Sequence, residues 1–454
     1  MKFSPLSSQR QGELGLSMPS PPFWRHGFLL CMALGLLGYS VPAYAQTAVG
    51  SSKDSQPSQT EKSQGSAGNL GKTSAPSQET QPPEAELRLS EFRPESMLRV
   101  EQSPVRRAKL PTVDIHSHFR HRLKHDPKLL KDYVAVMDRN RIAVSVSLDG
   151  RLGDELEDHK NYLWTEYADR FMIFANLDFQ GTGDPDDPET WACNQPGFAR
   201  DSVERLRLAK RAGVSGLKLF KQFGLSYRNA DGTLISIDDP RFDPIWKCCG
   251  ELNLPVLIHT ADPAAFFQPI NSSNERWEEL SRHPDWSFYG DHFPSREELL
   301  EQRNRVLARH PKTQFIGAHV ANNAEDLKQV GAWLDRYPNL SVEIASRIGE
   351  LGRQPYTARR FLMKYQDRVL FGTDGPWPET RLHLYWRFLE TDDEYFPYSE
   401  KPFPPQGFWQ IYGVFLPQEV LEKIYFRNSF KLIEGLEAKY NKTVEQWGQV
   451  DQRR

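Results

Sequence analysis

Five residues of the sequence carry side chains suited to holding a divalent metal ion: four histidines and one aspartate. His116 and His118 stand two residues apart in the segment DIHSH. The other three follow in separate segments: His259 in LIHTADP, His319 in GAHV and Asp374 in FGTDGPW. Imidazole nitrogens and carboxylate oxygens are ligands of zinc and of other first-row divalent metals. These residues therefore predict a metal site, provided that the fold brings them together.

The elements that must position these residues are predicted by a repeating pattern between residues 111 and 435. Short apolar or β-branched runs alternate with amphipathic stretches, as in successive βα units around a parallel sheet. Eight strands separated by helices indicate a (β/α)8 TIM barrel. An open doubly wound sheet is the alternative, but no glycine-rich phosphate loop follows the first run, which argues against its nucleotide-binding form. The eight runs are 112–118, 142–148, 171–177, 214–220, 255–259, 314–319, 340–346 and 369–373.

The candidate ligands fall at or just after the carboxyl ends of the first, fifth, sixth and eighth predicted strands. Residues i and i+2 of a strand share a face, so His116 and His118 should project together into the barrel. By the same alternation Val113 and Ile115 should face the helices, and Asp114 should lie inward below the histidines. The carboxyl ends of all barrel strands meet at one mouth, where active sites lie. A single histidine at such a position is more often a structural hydrogen-bonding residue, but this many at one mouth predict a divalent metal site.

In this order, DIHSH, LIHTADP, GAHV and FGTDGPW make the sequence resemble the amidohydrolase superfamily, and within it the amidohydrolase-related (amidohydrolase 2) branch. The segment DDPRFDPIWKCCGELNLPVLIH also looks like that branch, so the resemblance covers roughly residues 90–435. It implies that His116, His118, His259 and Asp374 hold the metal. It also implies that His319 lies close by and polarises the substrate or moves a proton. The branch includes metal-dependent hydrolases, lactonases and non-oxidative decarboxylases of small carboxylated or aromatic compounds.

The residue types suggest roles that do not depend on the resemblance. A metal with an open position lowers the pKa of bound water from about 16 towards about 7. Asp374 can accept the proton of the nucleophile and pass it to a leaving group, and His319 can hydrogen-bond a developing oxyanion. Asp114 could orient a histidine from behind, or it could be a polar residue at a strand start that the backbone satisfies.

Two cationic side chains are predicted to bind substrate. In GLKLF, Lys218 should point into the barrel, and a buried ammonium needs a partner or a function. Three interpretations stay open. The resemblance to the amidohydrolase superfamily implies that Lys218 could be carboxylated and bridge two metals, and the residue itself could be an anion anchor or partner of Asp374 or Glu343, or purely structural. Arg347, after the seventh strand, is a second candidate anion anchor, and a surface ion pair is the alternative.

Two aromatic-rich segments are predicted to shape the pocket. One is the long insertion between the fifth and sixth strands, which contains Trp286, and the other follows the eighth strand and contains Trp377. A long loop on the active face is usually a lid or a wall for the substrate. The alternative is that these aromatic residues cap the barrel or form an oligomer contact.

The N-terminal region is predicted to direct export. A positive segment, the apolar run 28–37 and the small residues before position 46 indicate a signal peptide, residues 1–45, cleaved after Ala45. A transmembrane anchor is the alternative, but the run is well short of the roughly 20 residues that span a bilayer. Ser, Gln, Thr, Gly and Pro dominate the residues that follow, so residues 46–88 are expected to form a disordered linker. The barrel is expected over 89–435, as a single catalytic domain, and a frayed C-terminal tail over 436–454.

Composition excludes several classes of protein. The 454 residues have a formal net charge of −3, which gives no electrostatic case for binding nucleic acid or an anionic membrane. Only 4 cysteines occur, too few for a disulfide scaffold. We therefore expect an enzyme that acts on a small molecule and has no stable membrane insertion after signal cleavage. The predicted signal peptide would place it in the periplasm or outside the cell. A homo-oligomer is possible because the aromatic segments could form a subunit contact.

The function predicted from the sequence is a metal-dependent hydrolase that uses metal-activated water on an amide, ester or lactone bond of a small molecule. The runner-up is a metal-dependent non-oxidative decarboxylase of a small aromatic or unsaturated carboxylic acid. A non-catalytic binding protein that kept the barrel is a third hypothesis, but it should have lost ligands, and the set is complete. The expected cofactor is Zn²⁺, with Mn, Fe, Co or Ni also compatible with these ligands.

Overall fold

The computed structural model describes residues 88, 91–92, 94–401 and 406–451. The chain divides into two units, 1–92 and 93–454. The predicted signal peptide and nearly all of the predicted linker lie outside the described residues, so both stay predictions. Among the described residues, no helix is long and apolar enough to cross a membrane.

Eight parallel strands form one sheet in sequence order, each hydrogen-bonded to the next. The sheet nearly closes on itself where Ser117 pairs with Gly375 and the amide of Ile115 donates to the carbonyl of Phe371. The predicted (β/α)8 barrel is therefore confirmed, and every observed strand lies within a predicted run. The strands are β1 Thr112–Ser117, β2 Ile142–Ser147, β3 Phe171–Asn176, β4 Gly216–Leu219, β5 Val256–Ile258, β6 Phe315–Gly317, β7 Leu340–Glu343 and β8 Val369–Leu370.

Helices follow the strands on the outside of the barrel. The first eight helical segments are α1 Phe119–Leu123, α2 Pro127–Asn140, α3 Asp154–Tyr167, α4 Phe198–Arg211, α5 Gln222–Leu225, α6 Asp243–Glu251, α7 Trp277–Leu280 and α8 Arg296–Arg309. The others are α9 Ala318–Ala321, α10 Leu327–Arg336, α11 Ile348–Arg353, α12 Pro355–Lys364, α13 Glu379–Glu390, α14 Gln418–Glu422, α15 Asn428–Leu432 and α16 Leu436–Asp451. Short 3₁₀ turns lie at 188–190, 192–194, 240–242, 264–267 and 284–286, and a π-helical segment at 423–427.

Local sequence explains where α8 begins, and α8 matters for the site. The hydroxyl of Ser295 caps the helix by accepting a hydrogen bond of 3.1 Å from the amide of Glu298. The reciprocal bond of a Ser295–Glu298 capping box does not form, because the Glu298 carboxylate accepts from Gln302 and Arg305 instead. One face of α8 is buried against the barrel, including the charged residues Arg296 and Arg303.

Below the mouth, apolar side chains fill the interior of the barrel. Two of them contradict the prediction about which residues of β1 face the helices. On the regular strands the alternation places Leu257, Ile316 and Leu370 inside, whereas their neighbours along the chain pack against the helices. Val113 and Ile115 belong to the same interior cluster. The expectation that these two face the helices is wrong, because the pairing of β1 with β2 shifts register between Asp114 and Ser117.

The same irregularity places Asp114 on the opposite side from the histidines. Its carboxylate accepts hydrogen bonds from the hydroxyls of Thr373 and Ser117, at 2.6 and 3.2 Å, and from the backbone amides of His116 and Thr373, at 3.1 Å each. No histidine ring is among its partners in the described part of the chain. Asp114 therefore ties β1 to the end of β8 and does not orient a ligand. Burial raises its pKa to about 7.

The C-terminal residues form a packed helix and not the expected frayed tail. Leu436 and Tyr440 of α16 are buried in the interior cluster that closes the bottom of the barrel. The Tyr440 hydroxyl donates to the carbonyl of Pro111 at 3.2 Å, and its ring stacks on Phe426. The prediction failed because the polar residues of this segment lie on the exposed face of an amphipathic helix, while Leu436, Tyr440, Val444 and Trp447 pack against the barrel.

Candidate metal centre

Three potential ligand atoms converge at the mouth of the barrel. The Nε2 atoms of His116 and His118 lie 3.3 Å apart, and Asp374 Oδ1 lies 3.7 Å from the first and 3.4 Å from the second. Two ligands bound tetrahedrally at about 2.0–2.1 Å from one ion would be about 3.3–3.4 Å apart. The three atoms therefore have nearly the spacing of one face of a metal coordination sphere.

Local backbone geometry aims the carboxylate of Asp374 at the two rings. Asp374 has a φ of 64°, in the left-handed region, directly after β8. Its Oδ2 accepts a hydrogen bond of 3.0 Å from Ser346 Oγ, which leaves Oδ1 directed at the histidines. The Asp374 side chain keeps 25% of its surface exposed, against 1% for His116, so the group opens towards the mouth.

Each histidine of the pair is held from behind by a carboxylate. His116 Nδ1 lies 2.9 Å from Glu343 Oε1, and His118 Nδ1 lies 2.7 Å from Asp149 Oδ1. Because an ionised carboxylate only accepts, these contacts place the ring proton on Nδ1 and leave the Nε2 lone pair for a metal. This carboxylate–histidine arrangement is typical of metal sites.

Asp149 was missed by the sequence analysis, and Glu343 was considered only as a partner of Lys218. Both could have been identified in the same way as the ligands, since each is a polar residue at or just after the carboxyl end of a predicted strand. Asp149 follows β2 within two residues, and Glu343 is on the inward face of β7 at its carboxyl end.

Burial and nearby charges favour the protonation states in which these groups bind a metal ion. Burial, followed by the charge of Lys218, lowers the pKa of His116 well below its ordinary value, so its imidazole is neutral at neutral pH. Burial alone would raise the pKa of Asp374, but His116, His118 and Arg122 outweigh burial and lower it. Neutral imidazole and ionised carboxylate are the forms that bind a divalent ion.

His319 lies beside this group in an unusual backbone conformation. Residues 319–322 all have φ between 53° and 58°, which makes a left-handed turn where a regular strand end was predicted. Left-handed residues other than glycine cost roughly 1–2 kcal/mol each, and a β-branched residue such as Val320 is rare there. The turn directs the His319 ring back into the barrel, with its centre 4.8 Å from that of His116.

The hydrogen bonds of His319 restrict its chemistry. Its Nδ1 lies 2.8 Å from the carbonyl oxygen of Ala345, which can only accept, so Nδ1 carries the proton. Burial, followed by the charge of His259, lowers the pKa of the ring well below its ordinary value. Neutral His319 therefore presents a lone pair at Nε2. It can accept a proton there but cannot donate one to an oxyanion, as the sequence analysis had suggested.

His259, the fourth ligand that the resemblance implies, stays outside the group of three. Its Nε2 lies 3.4 Å from Asp262 Oδ1, and Asp262 in turn pairs with Lys221 at 2.5 Å. The ring centre of His259 is 4.5 Å from that of His319, so it lies at the same mouth. Burial lowers its pKa to about 4, which leaves the ring neutral.

Lys218 points into the barrel, as predicted, and is 1% exposed. Its Nζ has no hydrogen-bond partner, and it forms no ion pair with any carboxylate that the structure describes. Burial lowers its pKa to about 8, although Glu343, Asp374 and Asp149 oppose that shift. The predicted pairing with Asp374 or Glu343 does not form. The ammonium instead lies over the ring of Phe220, whose centre is 5.4 Å from Nζ.

Arg347 is buried, so the alternative of a surface ion pair is wrong. It is 6% exposed, and the one hydrogen bond of its guanidinium within the described chain goes to the carbonyl of Ser346 at 2.7 Å. Burial lowers its pKa, and the charges of Glu325, Asp262 and Glu343 oppose that shift. Its charge in turn lowers the pKa of His319, so it lies within electrostatic range of the site.

The two tryptophans that were predicted to contact substrate lie in different surroundings. Trp286 is 39% exposed and stacks on His283, with ring centres 4.1 Å apart. Trp377 lies beside the site, where its Nε1 donates to the carbonyl of Thr373. The guanidinium carbons of Arg122 and Arg381 both lie 3.9 Å from the Trp377 ring, so cations of the protein already occupy it.

Comparison with known proteins assigns the family. The family model described as amidohydrolase matches residues 113–434. The chain belongs to the amidohydrolase family. Amidohydrolases of this kind are metal-dependent enzymes, and the paired histidines and Asp374 of this amidohydrolase fit that requirement in ligand type and spacing. No curated protein sequence matches the chain.

Solved structures similar to this amidohydrolase include proteins of three kinds. An uncharacterised TIM-barrel protein of Bordetella bronchiseptica shares 13% identity over 73% of this chain and 99% of its own, with a TM-score of 0.42. A 2,6-dihydroxybenzoate decarboxylase from Rhizobium shares 17% over 72% and 98%, with a TM-score of 0.42. A dihydroorotase from Campylobacter jejuni shares 16% over 70% and 82%, with a TM-score of 0.39.

Proposed function

We propose that this amidohydrolase is a metal-dependent hydrolase that cleaves an amide, ester or lactone bond of a small molecule. The observation that carries the proposal is the convergence of His116 Nε2, His118 Nε2 and Asp374 Oδ1, with a carboxylate behind each histidine. A structural cluster would not need three ligand atoms directed at one point with their lone pairs facing each other.

His116, His118 and Asp374 would hold the ion, and a rotation of the His259 side chain away from Asp262 would add a fourth ligand. When bound, a divalent ion such as Zn²⁺, Mn²⁺, Fe²⁺, Co²⁺ or Ni²⁺ supplies Lewis acidity and lowers the pKa of water to about 7. All further steps can be assigned to side chains of the protein.

Asp374 is placed to move the proton of the attacking water. Its Oδ2 has a second lone pair beside the hydrogen bond from Ser346, and the Asp374 side chain keeps 25% of its surface exposed. As the water oxygen bonds to the carbonyl carbon, the carboxylate takes the proton. It then passes the proton to the leaving nitrogen or oxygen as the bond to carbon breaks.

Lys218 is better suited than His319 to stabilise the negative charge that forms on the carbonyl oxygen of the substrate. The Lys218 ammonium has three N–H groups and no hydrogen bond to any described residue, whereas neutral His319 offers only a lone pair. A buried cation facing the carbonyl oxygen stabilises the charge that develops on it. His319 can relay a proton at Nε2, and Arg347 can anchor an acidic group of the substrate.

Decarboxylation is the second candidate, and the same two cations favour it. Lys218 and Arg347 are both buried near the site without an ion pair to a carboxylate of the described chain. A substrate carboxylate would provide that partner. The carbon–carbon bond would then break with release of CO₂. The carbon would take a proton that Asp374 or His319 Nε2 had first accepted from water.

Metal analysis of the purified protein tests the shared part of both proposals. We expect about one equivalent of divalent metal in the wild type and a loss of at least tenfold in His116→Ala. His383→Ala, which removes a histidine on α13, is the matched control and should keep its metal. Metal content that is equal in all three proteins would refute the site.

A substrate panel separates hydrolysis from decarboxylation. Lactones, esters and amides are assayed for acid or amine release, and hydroxybenzoates for CO₂ release, each with a His116→Ala, Asp374→Ala double variant. Hydrolysis that disappears in the double variant supports the leading proposal. Release of CO₂ alone would replace it with the second.

A further inference from the structure

The left-handed turn 319–322 is held by two arginines that come from outside the barrel. Arg303 of α8 is fully buried, and its Nη1 donates to the carbonyl of Ala321 at 2.7 Å. Arg296, two turns earlier on the same face of α8, donates from Nη2 to the carbonyl of Asn322 at 2.6 Å. These bonds fix the two carbonyl groups that the left-handed conformation points away from the barrel.

Arg303 has no stronger partner that would explain its burial. Its remaining hydrogen bonds go to the side chain of Asn304, at 2.9 and 3.3 Å, and its guanidinium lies 4.5 Å from the ring of Trp333. None of the ion pairs in the described chain includes Arg303. A buried guanidinium without a carboxylate is costly unless it does something else, and here its shortest bond is to the turn.

Arg296 and Asn322 join the same turn to the segment that carries His259. The Nε of Arg296 donates to the carbonyl of Asp262 at 3.0 Å. The Asn322 side chain accepts from the amide of Thr260 at 3.2 Å and donates to the carbonyl of Ala261 at 3.2 Å. The loops after β5 and β6 are therefore fastened to one another and to α8.

The turn also packs closely against Gly317, where a side chain would not fit. A Cβ on Gly317 would lie 2.7 Å from the Cβ of Ala321, so the chain folds back on itself directly after β6. If residues 319–322 relaxed to a right-handed conformation, the His319 ring would leave its place near His116 and His259.

We propose that Arg303 and Arg296 are positioning residues, which hold the left-handed turn and thereby aim the His319 ring into the metal centre. The link to catalysis rests on the proposed function, whereas the link to the turn does not. The arginines touch neither the ligand group nor a substrate, so their effect should be seen in the geometry of His319.

Arg303→Met removes the guanidinium and keeps the volume. We expect a crystal structure of this variant to show residues 319–322 without left-handed φ values, or with the His319 ring displaced. With an active substrate, kcat should fall by about 100-fold while KM changes little, because misplacement by about 1 Å has effects of that size. Arg305→Met, on the exposed face of α8, is the control and should leave both unchanged.

A glycine rescue distinguishes positioning from general support. Ala321→Gly lets the turn adopt positive φ without penalty, so in the Arg303→Met background it should restore most of kcat. If Arg303→Met does not fold, Arg296→Met tests the same inference through the carbonyl of Asn322.

An unchanged turn and His319 ring in the arginine variants would overturn the proposal, and so would a failure of glycine to restore kcat. Should the wild type show neither hydrolase nor decarboxylase activity, the proposed function would fail, and the crystal structures would still decide the role of the arginines.

Discussion

At the scale of single residues, the metal centre is organised by groups that would not touch the ion. Glu343 and Asp149 fix which nitrogen of His116 and His118 carries the proton, and Ser346 fixes which oxygen of Asp374 faces the rings. With tautomer and orientation set in advance, binding a metal needs no rearrangement of these three side chains. Affinity should therefore depend on the carboxylates behind the ligands.

Replacing those carboxylates by amides tests this dependence. Glu343→Gln and Asp149→Asn keep the shape but lose the charge that stabilises the Nδ1–H of each ring. We expect metal affinity to fall about 10- to 100-fold in each variant. Competition with a chromophoric chelator measures the dissociation constant, and Glu379→Gln on the outer surface is the control. Affinities equal to the wild type would mean that the carboxylates are only structural.

The pKa of Lys218 predicts a pH dependence for anionic substrates. Burial lowers it to about 8, so the ammonium is charged below that pH and neutral above it. An anion anchored by Lys218 is therefore bound at low pH and released as pH rises. We expect kcat/KM for an anionic substrate to fall about tenfold per pH unit above pH 8.

Lys218→Met should abolish the fall in kcat/KM above pH 8, because the variant should have low activity towards the anionic substrate at every pH. A neutral substrate of the same size serves as the comparison and should show a much weaker change. A pH profile that the substitution leaves intact would assign the titration to another group.

At the scale of elements, the barrel was predictable and the exact strand ends were not. Each strand is a run of buried apolar or β-branched residues, a pattern that depends on local sequence alone. His319 was placed at a strand end, yet it begins a left-handed turn. Nothing local to GAHV requires that turn, because Arg303, which holds it, comes from the preceding helix.

The inward or outward direction of side chains could be predicted only where a strand is regular. Alternation correctly placed Lys218 inside β4, and it would have found Glu343 on β7. It failed on β1, where the register shift after Asp114 moves Val113 and Ile115 into the barrel. A shift of this kind depends on pairing with β2 and β8, which a single sequence does not display.

The C-terminal helix α16 should contribute measurably to stability. Tyr440 is 7% exposed, stacks on Phe426 and donates to Pro111, so Tyr440→Ala removes a buried ring and a hydrogen bond. We expect the free energy of unfolding to fall by about 3 kcal/mol. Urea unfolding followed by circular dichroism measures it.

Lys442→Ala provides the control on the same helix. Lys442 is 59% exposed and pairs with Asp169, and exposed ion pairs contribute about 0–1 kcal/mol. A Tyr440→Ala variant as stable as Lys442→Ala would show that α16 is dispensable, as expected of a frayed tail.

At the scale of the whole molecule, the mouth gathers three carboxylates at one place. Asp149, Glu343 and Asp374 lie around His116 and His118, and Lys218 forms an ion pair with none of them. Glu343 is fully buried there, and burial raises its pKa, so its ionised form costs free energy in the fold. A divalent cation at the mouth offsets this cost, and the free energy of metal binding is then added to the free energy of unfolding.

Removing the metal should therefore lower the thermal stability of the entire barrel. At a free metal concentration about 1,000 times the dissociation constant, binding stabilises the folded state by about 4 kcal/mol. For a barrel of about 350 residues, that corresponds to a fall in Tm of about 5 °C on treatment with EDTA. Scanning calorimetry with and without EDTA measures the change, and added Zn²⁺ or Mn²⁺ should reverse it. The His116→Ala, Asp374→Ala double variant should melt at one temperature under all conditions, because it lacks two of the three ligands. An EDTA effect that persists in that variant would place the stabilising ion elsewhere in the molecule.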